Sequence, residues 1–460
     1  MISRTELNER VREWGLREDI VEKDYVIGWL LWGIGSNPRL SASWAFKGGT
    51  CLKKCYLETY RFSEDLDFTV LPGGPIKPDE VTPLLQEIFG RIYEQGGIDF
   101  RVRSAVLHLR PDSESAEGRV YYRGPRNAPE VAGIKLDLTK AEQVICPTVL
   151  REISHSYPDQ LPAPATIRCY NFEELFAEKL RAMGERSRPR DLYDIVNLFR
   201  RKEFFPYAEL IRSVYVQKCE SKGIETFTFD SLENSPYRAE IETEWANMLG
   251  HQLPVLPPFE SFWQELPHLF AWLDGKLAPE RLPPISIAEN EEPEWSPPPT
   301  VWVWGQKLPL EPVRFAGANR LCVELGYRGT KRLIEPYSLR RTKDGYLLLY
   351  AVKTTTGELR AYRVDRIQSI QVTNSTFKPR YPVEFTSAGS LIAPPTQRVN
   401  SLGTRYEPSR SGVVHVIECS YCGKQFKRST HDTGLRPHKD KGGVSDCPGR
   451  VGYEVDQYYA

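Results

Sequence analysis

The stretch FKGGTCLKKCYLETYRFSEDLDF, residues 46–68, joins a glycine turn to a short segment that carries two carboxylates. The turn, Gly48-Gly49-Thr50, comes about fifteen residues before Asp65 and Asp67, which flank a leucine. Side chains two positions apart on a strand point to the same face. The two carboxylates therefore repel each other unless water or a cation lies between them, and the rest of the sequence has to decide which.

The residues around this stretch predict an α/β domain followed by a mostly helical region. Trp44–Phe46 and Leu66–Val70 are predicted as short strands with a helix between them, and Ile134–Leu138 alternates as a third strand. Asn171 is predicted to open a helix, with Glu174 three residues on as its capping-box partner. Helical signals then continue to about residue 218.

Bulk composition is that of a soluble globular protein with more than one domain. A chain of 460 residues is too long for one ordinary core, so two or three domains are expected. Charged residues make up 27% and hydrophobic residues 40%, which is ordinary for such proteins. Apolar runs such as 25–34 are too short to span a bilayer, and the N-terminus has no apolar signal segment. We therefore expect a cytoplasmic protein without a membrane partner.

Two composition breaks divide the chain. Residues 276–300 are rich in Pro and Glu and are predicted to be a linker, and residues 387–412 form a second linker rich in Ser, Pro, Thr, Gly and Arg. The predicted domains are therefore 1–275, 301–386 and 413–460.

Net charge is zero but unevenly distributed. Residues 301–460 hold about 25 Lys and Arg against about 14 Asp and Glu, roughly +11, which leaves about −11 on the first 300 residues. A basic C-terminal third favours an anionic partner, either a nucleotide or a nucleic acid. Mutual attraction between the domains is the alternative explanation.

The glycine turn and the carboxylates together have the chemistry of a nucleotide site. Backbone N–H groups at the start of a helix favour a triphosphate. Asp137, in the strand IKLDL, is a candidate third carboxylate beside Asp65 and Asp67. Three oxygen ligands and substrate phosphates suit Mg²⁺, and two such ions can clamp an in-line phosphoryl displacement. Taken singly, each feature also fits an ordinary turn, a solvated pair of carboxylates or a strand end.

Four blocks in this order resemble the AbiEii nucleotidyltransferase toxins of the polymerase-β-like minimal nucleotidyltransferase group. They are FKGGT with RFSEDLDF at 46–50 and 61–68, IKLD at 134–137, EELFAEKLRA at 173–182 and RPRDLYD at 188–194. The segment IVEKDYVIGWLL, 20–31, is also typical of the family. The resemblance spans roughly residues 5–270 and implies a polymerase-β-like core.

The resemblance also implies a role for each matching residue. The implied catalytic residues are Asp65, Asp67, Asp137, Lys179 and Asp191, with Mg²⁺ held by the first three. Nucleotide binding is assigned to Lys47, Gly48, Gly49, Thr50, Arg61, Ser63 and Arg190. A lysine suits the triphosphate because a compact cation neutralises charge on the leaving pyrophosphate. The alternative for Lys179 is a helix-surface lysine paired with Glu178 or Glu174.

Residues 301–386 are predicted as a small all-β barrel. Alternating runs are separated by turn signals such as Asp344-Gly345, and the segment resembles WYL domains, although Gly345 stands where the family has its Trp. The resemblance implies a nucleotide or nucleic-acid ligand. The candidate contacts are Arg332, Arg340, Arg363 and Arg366. The alternative is that these arginines lie on the rim of a scaffold barrel.

The tail carries the spacing of a structural zinc site. Cys419 and Cys422 are followed by His438 and Cys447, and a module of about 50 residues needs a metal for stability. His431 is the second choice for the histidine ligand. Six Lys and Arg surround the site, which favours contact with phosphates of a nucleic acid. The other six cysteines are expected to be ordinary thiols.

These features predict a Mg²⁺-dependent nucleotidyltransferase that moves a nucleoside monophosphate from an NTP to an acceptor. The resemblance implies the toxin of a type IV toxin–antitoxin or phage-defence system, with a cognate antitoxin as partner. The acceptor is the 3′ end of tRNA or a protein hydroxyl, and the basic C-terminal modules favour RNA. One alternative is a nucleic-acid or nucleotide sensor that uses the C-terminal modules. A kinase or hydrolase, or a nucleotidyltransferase that modifies protein, is the other.

Overall fold

The computed structural model describes residues 1–57, 61–201, 207–277, 282–285, 289–290, 310–342, 346–385, 391–392, 413–428, 433–443 and 445–459. The chain divides into two compact units, residues 1–396 and 397–460. Among the described residues, no helix is both long enough and apolar enough to cross a lipid bilayer.

Three helices open the first unit. They are α1 (Arg4–Trp14), α2 (Glu18–Ser36) and α3 (Pro38–Ser43). Ser3 and Glu6 form a capping box at the start of α1, and Gly15 ends the helix at φ 64°, a conformation that glycine adopts without strain. Most of α2 is buried, so this helix forms one layer of the core against the sheet.

A seven-stranded sheet carries the glycine turn and the carboxylates. Its order is β3-β4-β5-β2-β1-β7-β6. The strands are β1 (Trp44–Lys47), β2 (Asp65–Val70), β3 (Val106–Leu109), β4 (Ser115–Tyr122), β5 (Ala132–Thr139), β6 (Val149–Glu152) and β7 (Thr166–Cys169). The helical turn α4 (Gly48–Cys51) continues into a π-helix (Leu52–Tyr56) after β1, and α5 (Pro78–Gly96) follows β2. The predicted strand–helix–strand order is confirmed.

Helices α6 to α12 complete the front region. Their bounds are α6 (Phe172–Arg186), α7 (Pro189–Phe199), α8 (Ala208–Ser221), α9 (Phe229–Glu233), α10 (Tyr237–Leu249), α11 (Phe259–Trp263) and α12 (Leu266–Leu273). Asn171 caps α6 by accepting a hydrogen bond from the Glu174 N–H, as predicted. The predicted capping box is wrong, because the Glu174 carboxylate instead accepts hydrogen bonds from the N–H groups of Ile145 and Cys146.

An antiparallel sheet with the strand order of a small, partly open barrel follows. Helix α13 (Glu311–Ala318) precedes five strands in the order β13-β9-β10-β11-β12. The strands are β9 (Leu321–Tyr327), β10 (Thr330–Arg341), β11 (Leu347–Lys353), β12 (Leu359–Arg363) and β13 (Ile367–Thr376). Short strands β8 (Glu289–Asn290) and β14 (Leu391–Ile392), from the two predicted linkers, pair with β12 and β10.

The barrel shares a hydrophobic core with the front region. Val313, Phe315 and Ala316 of α13 belong to the same buried cluster as the residues of α2 and the large sheet. The Tyr193 hydroxyl on α7 donates a 2.9 Å hydrogen bond to Asn319 Oδ1, at the end of α13. The barrel therefore packs against the helix that carries the RPRDLYD block.

The second unit is a small β module. A three-stranded sheet contains β15 (Val413–Cys419), β16 (Gln425–Arg428) and β19 (Gly452–Tyr459), and a two-stranded sheet contains β17 (His438–Lys439) and β18 (Asp446–Cys447). Among the described residues of this unit, the hydrophobic cluster has four buried members, namely Ile417, Cys419, Leu435 and Cys447. So small a core fits the expectation that a metal stabilises this module.

Candidate active site

Strand register places the first catalytic candidates side by side. Strand β2 lies between β1 and β5, with Lys47 opposite Asp67 on one side and Asp137 opposite Asp67 on the other. Asp65 precedes Asp67 by two residues and faces Lys135 across the parallel pair. The structure therefore brings Asp65, Asp67 and Asp137 together at one place on the sheet.

The glycine turn lies directly against this group. Gly48 has φ 79°, and a Cβ at this position would overlap the carboxylate of Asp67. A Cβ on Gly49 would overlap the guanidinium of Arg61 and lie against Ser63. The Thr50 hydroxyl donates a 2.5 Å hydrogen bond to the Asp65 carbonyl. The two glycines are needed here because the turn approaches the carboxylate strand too closely for side chains.

The carboxylates have the properties of a divalent-cation site. Burial raises the pKa of Asp67 to about 6, with Lys47 opposing the rise and Asp137 adding to it. Burial likewise raises the pKa of Asp65. Asp137 Oδ1 is buried and has no hydrogen-bond partner among the described residues. Clustered anions and a buried acceptor without a donor fit Mg²⁺, which prefers carboxylate oxygens.

Lys135 is a cation that the sequence interpretation missed. Its Nζ lies 2.6 Å from Asp137 Oδ2, and this hydrogen bond raises the pKa of Lys135. The strand period could have revealed it, because Lys135 and Asp137 are two residues apart and share a face with the other carboxylates.

A cleft of about 480 Å³ opens beside Lys47, Asp67 and Asp137. The walls come from β1, β2, β4, β5 and α6, and charged side chains dominate them. Besides Lys47, Asp67, Asp137 and Lys179, the charged lining residues are Arg110, Asp112, Glu142, Glu178, Arg181, Glu185, Arg186 and Lys222. Six basic and six acidic side chains line the cleft, so a polyanion would bind here through a metal ion that neutralises the carboxylates.

Lys47 is buried beside two carboxylates. Its Nζ pairs with Glu142 and lies 3.3 Å from Glu178 Oε1. Burial disfavours the charged form, but Glu178 and Glu142 outweigh this effect and raise the pKa of Lys47. In turn, although burial opposes it, Lys47 is the main cation that lowers the pKa of Glu178 to about 2. Lys47 therefore stays charged next to Asp67.

Lys179 is held by the RPRDLYD block rather than by its own helix. Its Nζ lies 2.9 Å from Asp194 Oδ2 and 3.8 Å from Asp191 Oδ1, and both aspartates are fully buried. Arg186 binds Asp191 through two hydrogen bonds of 2.8 Å. The contacts with α7 thus place the ammonium group at the cleft. The alternative interpretation, in which Lys179 is a helix-surface lysine, expected it to pair with Glu178 or Glu174.

Two arginines that the sequence analysis assigned to nucleotide binding, Arg61 and Arg190, lie outside the cleft lining. Arg61 is buried and donates two 2.7 Å hydrogen bonds to Asp194 and one of 3.0 Å to Gln252. The Nε of Arg190 is buried without a hydrogen-bond partner among the described residues. Burial and the neighbouring Arg61 lower the pKa of Arg190, while Asp65 opposes the change. The role of Arg61 and Arg190 in nucleotide binding stays a prediction.

The four barrel arginines occupy different positions. Arg340 is buried and ion-pairs with Glu384 at 3.0 Å, and Arg363 ion-pairs with Asp365 at 2.6 Å. Arg332 lies at the other end of β10 from Arg340, with its guanidinium 5.3 Å from the Tyr327 ring centroid. Arg366 ends a half-buried 3₁₀ turn. Their contact with an anionic ligand stays a prediction.

The second unit brings together the four predicted metal ligands. One potential ligand atom from each of Cys419, Cys422, His438 and Cys447 lies within 4.8 Å of the others. His438 Nδ1 is 2.9 Å from the Arg436 carbonyl, which can only accept, so Nδ1 donates and the lone pair of Nε2 faces Cys422 at 3.5 Å. Backbone N–H groups of Cys422 and Tyr421 lower the pKa of Cys419 to about 6. These residues could hold a zinc ion, whereas His431 lies outside the described residues.

Comparison with known proteins gives two family matches. The family described as "Nucleotidyl transferase AbiEii toxin, Type IV TA system" matches residues 29–267, and the WYL domain family matches residues 310–372. No curated protein matches the chain.

Two solved structures resemble parts of the chain. One is the nucleotidyltransferase toxin MenT4 of Mycobacterium tuberculosis H37Rv, at 20% identity and a TM-score of 0.41, over 61% of this chain and 91% of that chain. The other is proteasome accessory factor B/C of Arthrobacter aurescens, at 16% identity and a TM-score of 0.14, over 38% of this chain and 24% of that chain.

Proposed function

Because the chain belongs to the AbiEii family of type IV nucleotidyltransferase toxins, we propose that it transfers a nucleoside monophosphate from an NTP to the 3′ end of an RNA, in particular tRNA, in a Mg²⁺-dependent reaction. The family implies a nucleotide substrate and an antitoxin partner. The RNA acceptor, the metal ion and the role of each residue are the proposal.

The observation that carries the proposal is the register of the three central strands. Lys47, Asp67 and Asp137 lie in one row, and Asp65 is two residues before Asp67 on the same strand. Asp65, Asp67 and Asp137 would hold Mg²⁺, and the buried Asp137 Oδ1 is the atom that such an ion would satisfy. When bound, the ion supplies charge neutralisation and orientation for the in-line displacement at the α-phosphate.

The remaining residues bind and orient the triphosphate. The glycine turn at 48–50 presents backbone N–H groups where side chains would clash with the carboxylate strand. Lys179 donates to the phosphates of the leaving pyrophosphate. Asp191 and Asp194 hold its ammonium group in place, so little ordering cost is left when the nucleotide binds.

The acceptor is proposed from the charge of the C-terminal modules. The region after residue 300 carries about eleven more basic than acidic residues. Basic side chains that contact RNA phosphates give binding that does not depend on the RNA sequence. A protein acceptor would need no such surplus, so RNA is the better-supported class.

One experiment tests the activity and the acceptor together. The purified full-length chain is incubated with Mg²⁺, total bacterial RNA and each NTP in turn, radiolabelled at the α-phosphate. RNA and protein are then resolved on separate gels, beside a sample of Asp67→Ala. We expect label on RNA of tRNA size that is lost in the variant.

Other outcomes would contradict parts of the proposal. Label on protein alone would replace the RNA acceptor with a protein hydroxyl. Release of NDP or of free phosphate without labelled acceptor would indicate kinase or hydrolase chemistry. Retained RNA binding with no label on either acceptor would favour the sensor alternative. Asp79→Asn, an exposed carboxylate in the first turn of α5, serves as the matched control that should label RNA normally.

A further inference from the structure

Three cysteines meet beneath the glycine turn. Cys51 ends α4, Cys55 lies one turn later in the π-helix, and Cys169 ends β7. All three are buried, and their Sγ atoms lie within 4.8 Å of one another. Cys169 is the strand partner of Phe46, the residue just before Lys47 and Gly48. These cysteines show no ligand spacing along the chain, because the third lies on a strand more than a hundred residues after the second.

The separations suit ligands around one ion. Tetrahedral ligands about 2.3 Å from zinc stand roughly 3.8 Å apart. The Tyr56 hydroxyl lies 3.8 Å from Cys169 Sγ and donates a 2.6 Å hydrogen bond to the Tyr170 carbonyl. This hydroxyl therefore borders the cluster on the side of Cys169, and the three thiols are the ligands that the chain itself supplies.

Charge balance favours a divalent ion. Three thiolates and one divalent cation leave a single negative charge, which is costly in a buried place unless it is compensated. Arg151 donates to the Cys55 carbonyl at 3.2 Å, and its guanidinium lies 4.7 Å from the centroid of the Tyr56 ring. One positive charge thus stands beside the cluster.

We propose that Cys51, Cys55 and Cys169 form a second metal site for a divalent thiophilic ion such as Zn²⁺. Each thiol that binds the ion releases its proton to solvent. Soft thiolate ligands select such ions, whereas the carboxylates of the cleft select Mg²⁺. A bound ion ties α4 and the π-helix to β7 and so fixes the segment that carries the glycine turn.

Cadmium binding tests the site without any assay of transfer. The full-length chain is stripped of metal with a chelator, kept reduced, and titrated with Cd²⁺ while the ultraviolet absorbance of cadmium–thiolate bonds is recorded. To remove the tail cluster, the titration uses the double variant Cys419→Ser/Cys422→Ser. We expect the cadmium–thiolate absorbance of this variant to saturate at one Cd²⁺ per chain, and the variant to melt several degrees higher with the ion than without it.

Core variants then locate the ion. In the same background, Cys169→Ser and, separately, Cys55→Ser should lose the cadmium absorbance. Cys219→Ser, which removes a buried thiol on α8 outside the cluster, should keep it. Melting of each metal-free variant shows whether it is folded.

Two results would overturn the proposal. The first is the absence of cadmium–thiolate absorbance in the double variant, which requires no core substitution and so does not depend on how the core variants fold. The second is absorbance that persists in both Cys169→Ser and Cys55→Ser.

Discussion

At the scale of single residues, the charged form of Asp67 lowers the stability of the folded protein, because the carboxylate is buried. Its pKa is raised to about 6, so the folded protein holds the Asp67 proton more tightly than the unfolded chain does. The favourable contribution to stability is present below the unfolded pKa of about 4 and is lost as the pH rises through about 6.

This sign leads to a prediction for Asp67→Asn. Above pH 7, without divalent ions, the variant should melt at the same temperature as the wild type or higher, because it removes a buried charge. Nucleotide transfer should fall by at least about 10³-fold, since the proposed metal ligand is lost. Thermal melts in chelator, beside a transfer assay, check both. A large loss of stability in chelator would show that Asp67 has a structural role instead.

The same pKa predicts how metal binding depends on pH. Protons compete with the ion for Asp67, so affinity for Mn²⁺, used as a spectroscopic substitute for Mg²⁺, should weaken below about pH 6 and level off above it. Calorimetric titrations at several pH values measure this. Affinity that does not change between pH 5 and pH 8 would contradict the assignment of Asp67 as a ligand.

Lys135 gives a third prediction at this scale. Its ammonium occupies one oxygen of Asp137, so it competes with a cation for the carboxylates. Lys135→Met should lower the Mn²⁺ concentration needed for half-saturation several-fold. Weaker Mn²⁺ binding in this variant would show that Lys135 supports the site. Lys140→Met, at an exposed position just after β5, is the matched control.

At the scale of elements, α6 and α7 are joined through Asp194. This buried carboxylate binds Arg61, which precedes β2, and Lys179 of α6. Asp194→Asn would leave two buried cations with a neutral partner, at a cost of about 3–5 kcal/mol in the free energy of unfolding. Glu117→Gln, which breaks an exposed pair with Arg110, should leave the unfolding midpoint nearly unchanged, because solvent screens such a pair. Denaturant melts of the two variants should differ accordingly, and equal midpoints would be contrary to this account.

The elements themselves were largely predictable, and the partners of their side chains were not. The helix break at Gly15, the strand–helix–strand order around residue 48 and the Asn171 cap all follow from local pattern. The hydrogen-bond partners of the Glu174 carboxylate do not follow from local pattern, because residues 145–146 are distant from it in sequence. Likewise, the order of Asp65, Asp67 and Asp137 could be read from the sequence, while the burial that raises the pKa of Asp67 depends on the packed domain.

At the scale of the molecule, the barrel region is hydrogen-bonded to α7, the helix that carries Asp191 and Asp194. Tyr193, which lies between Asp191 and Asp194 in sequence, bonds Asn319 of the barrel region through its hydroxyl. Asn319→Ala should leave the Tyr193 hydroxyl without this acceptor and loosen α7, lowering the transfer rate several-fold without changing the carboxylate group itself. Hydrogen exchange of α7 and transfer kinetics test this against Asn247→Ala, at an exposed position on α10. Unchanged exchange in α7 would show that the two regions are not coupled.

The hydrophobic core shared by α13 and the front region also limits how the gene can evolve. A module joined by a linker can be gained or lost by one deletion or fusion in the gene. Here, loss of the barrel with α13 would uncover apolar residues of the front region such as Trp14 and Phe62, which line one cavity with Phe315. The truncated product would aggregate unless several surface substitutions arrived with the deletion. We therefore expect the two regions to be inherited as one unit, with relatives that lack the barrel carrying polar residues on the matching face of α1 and α7.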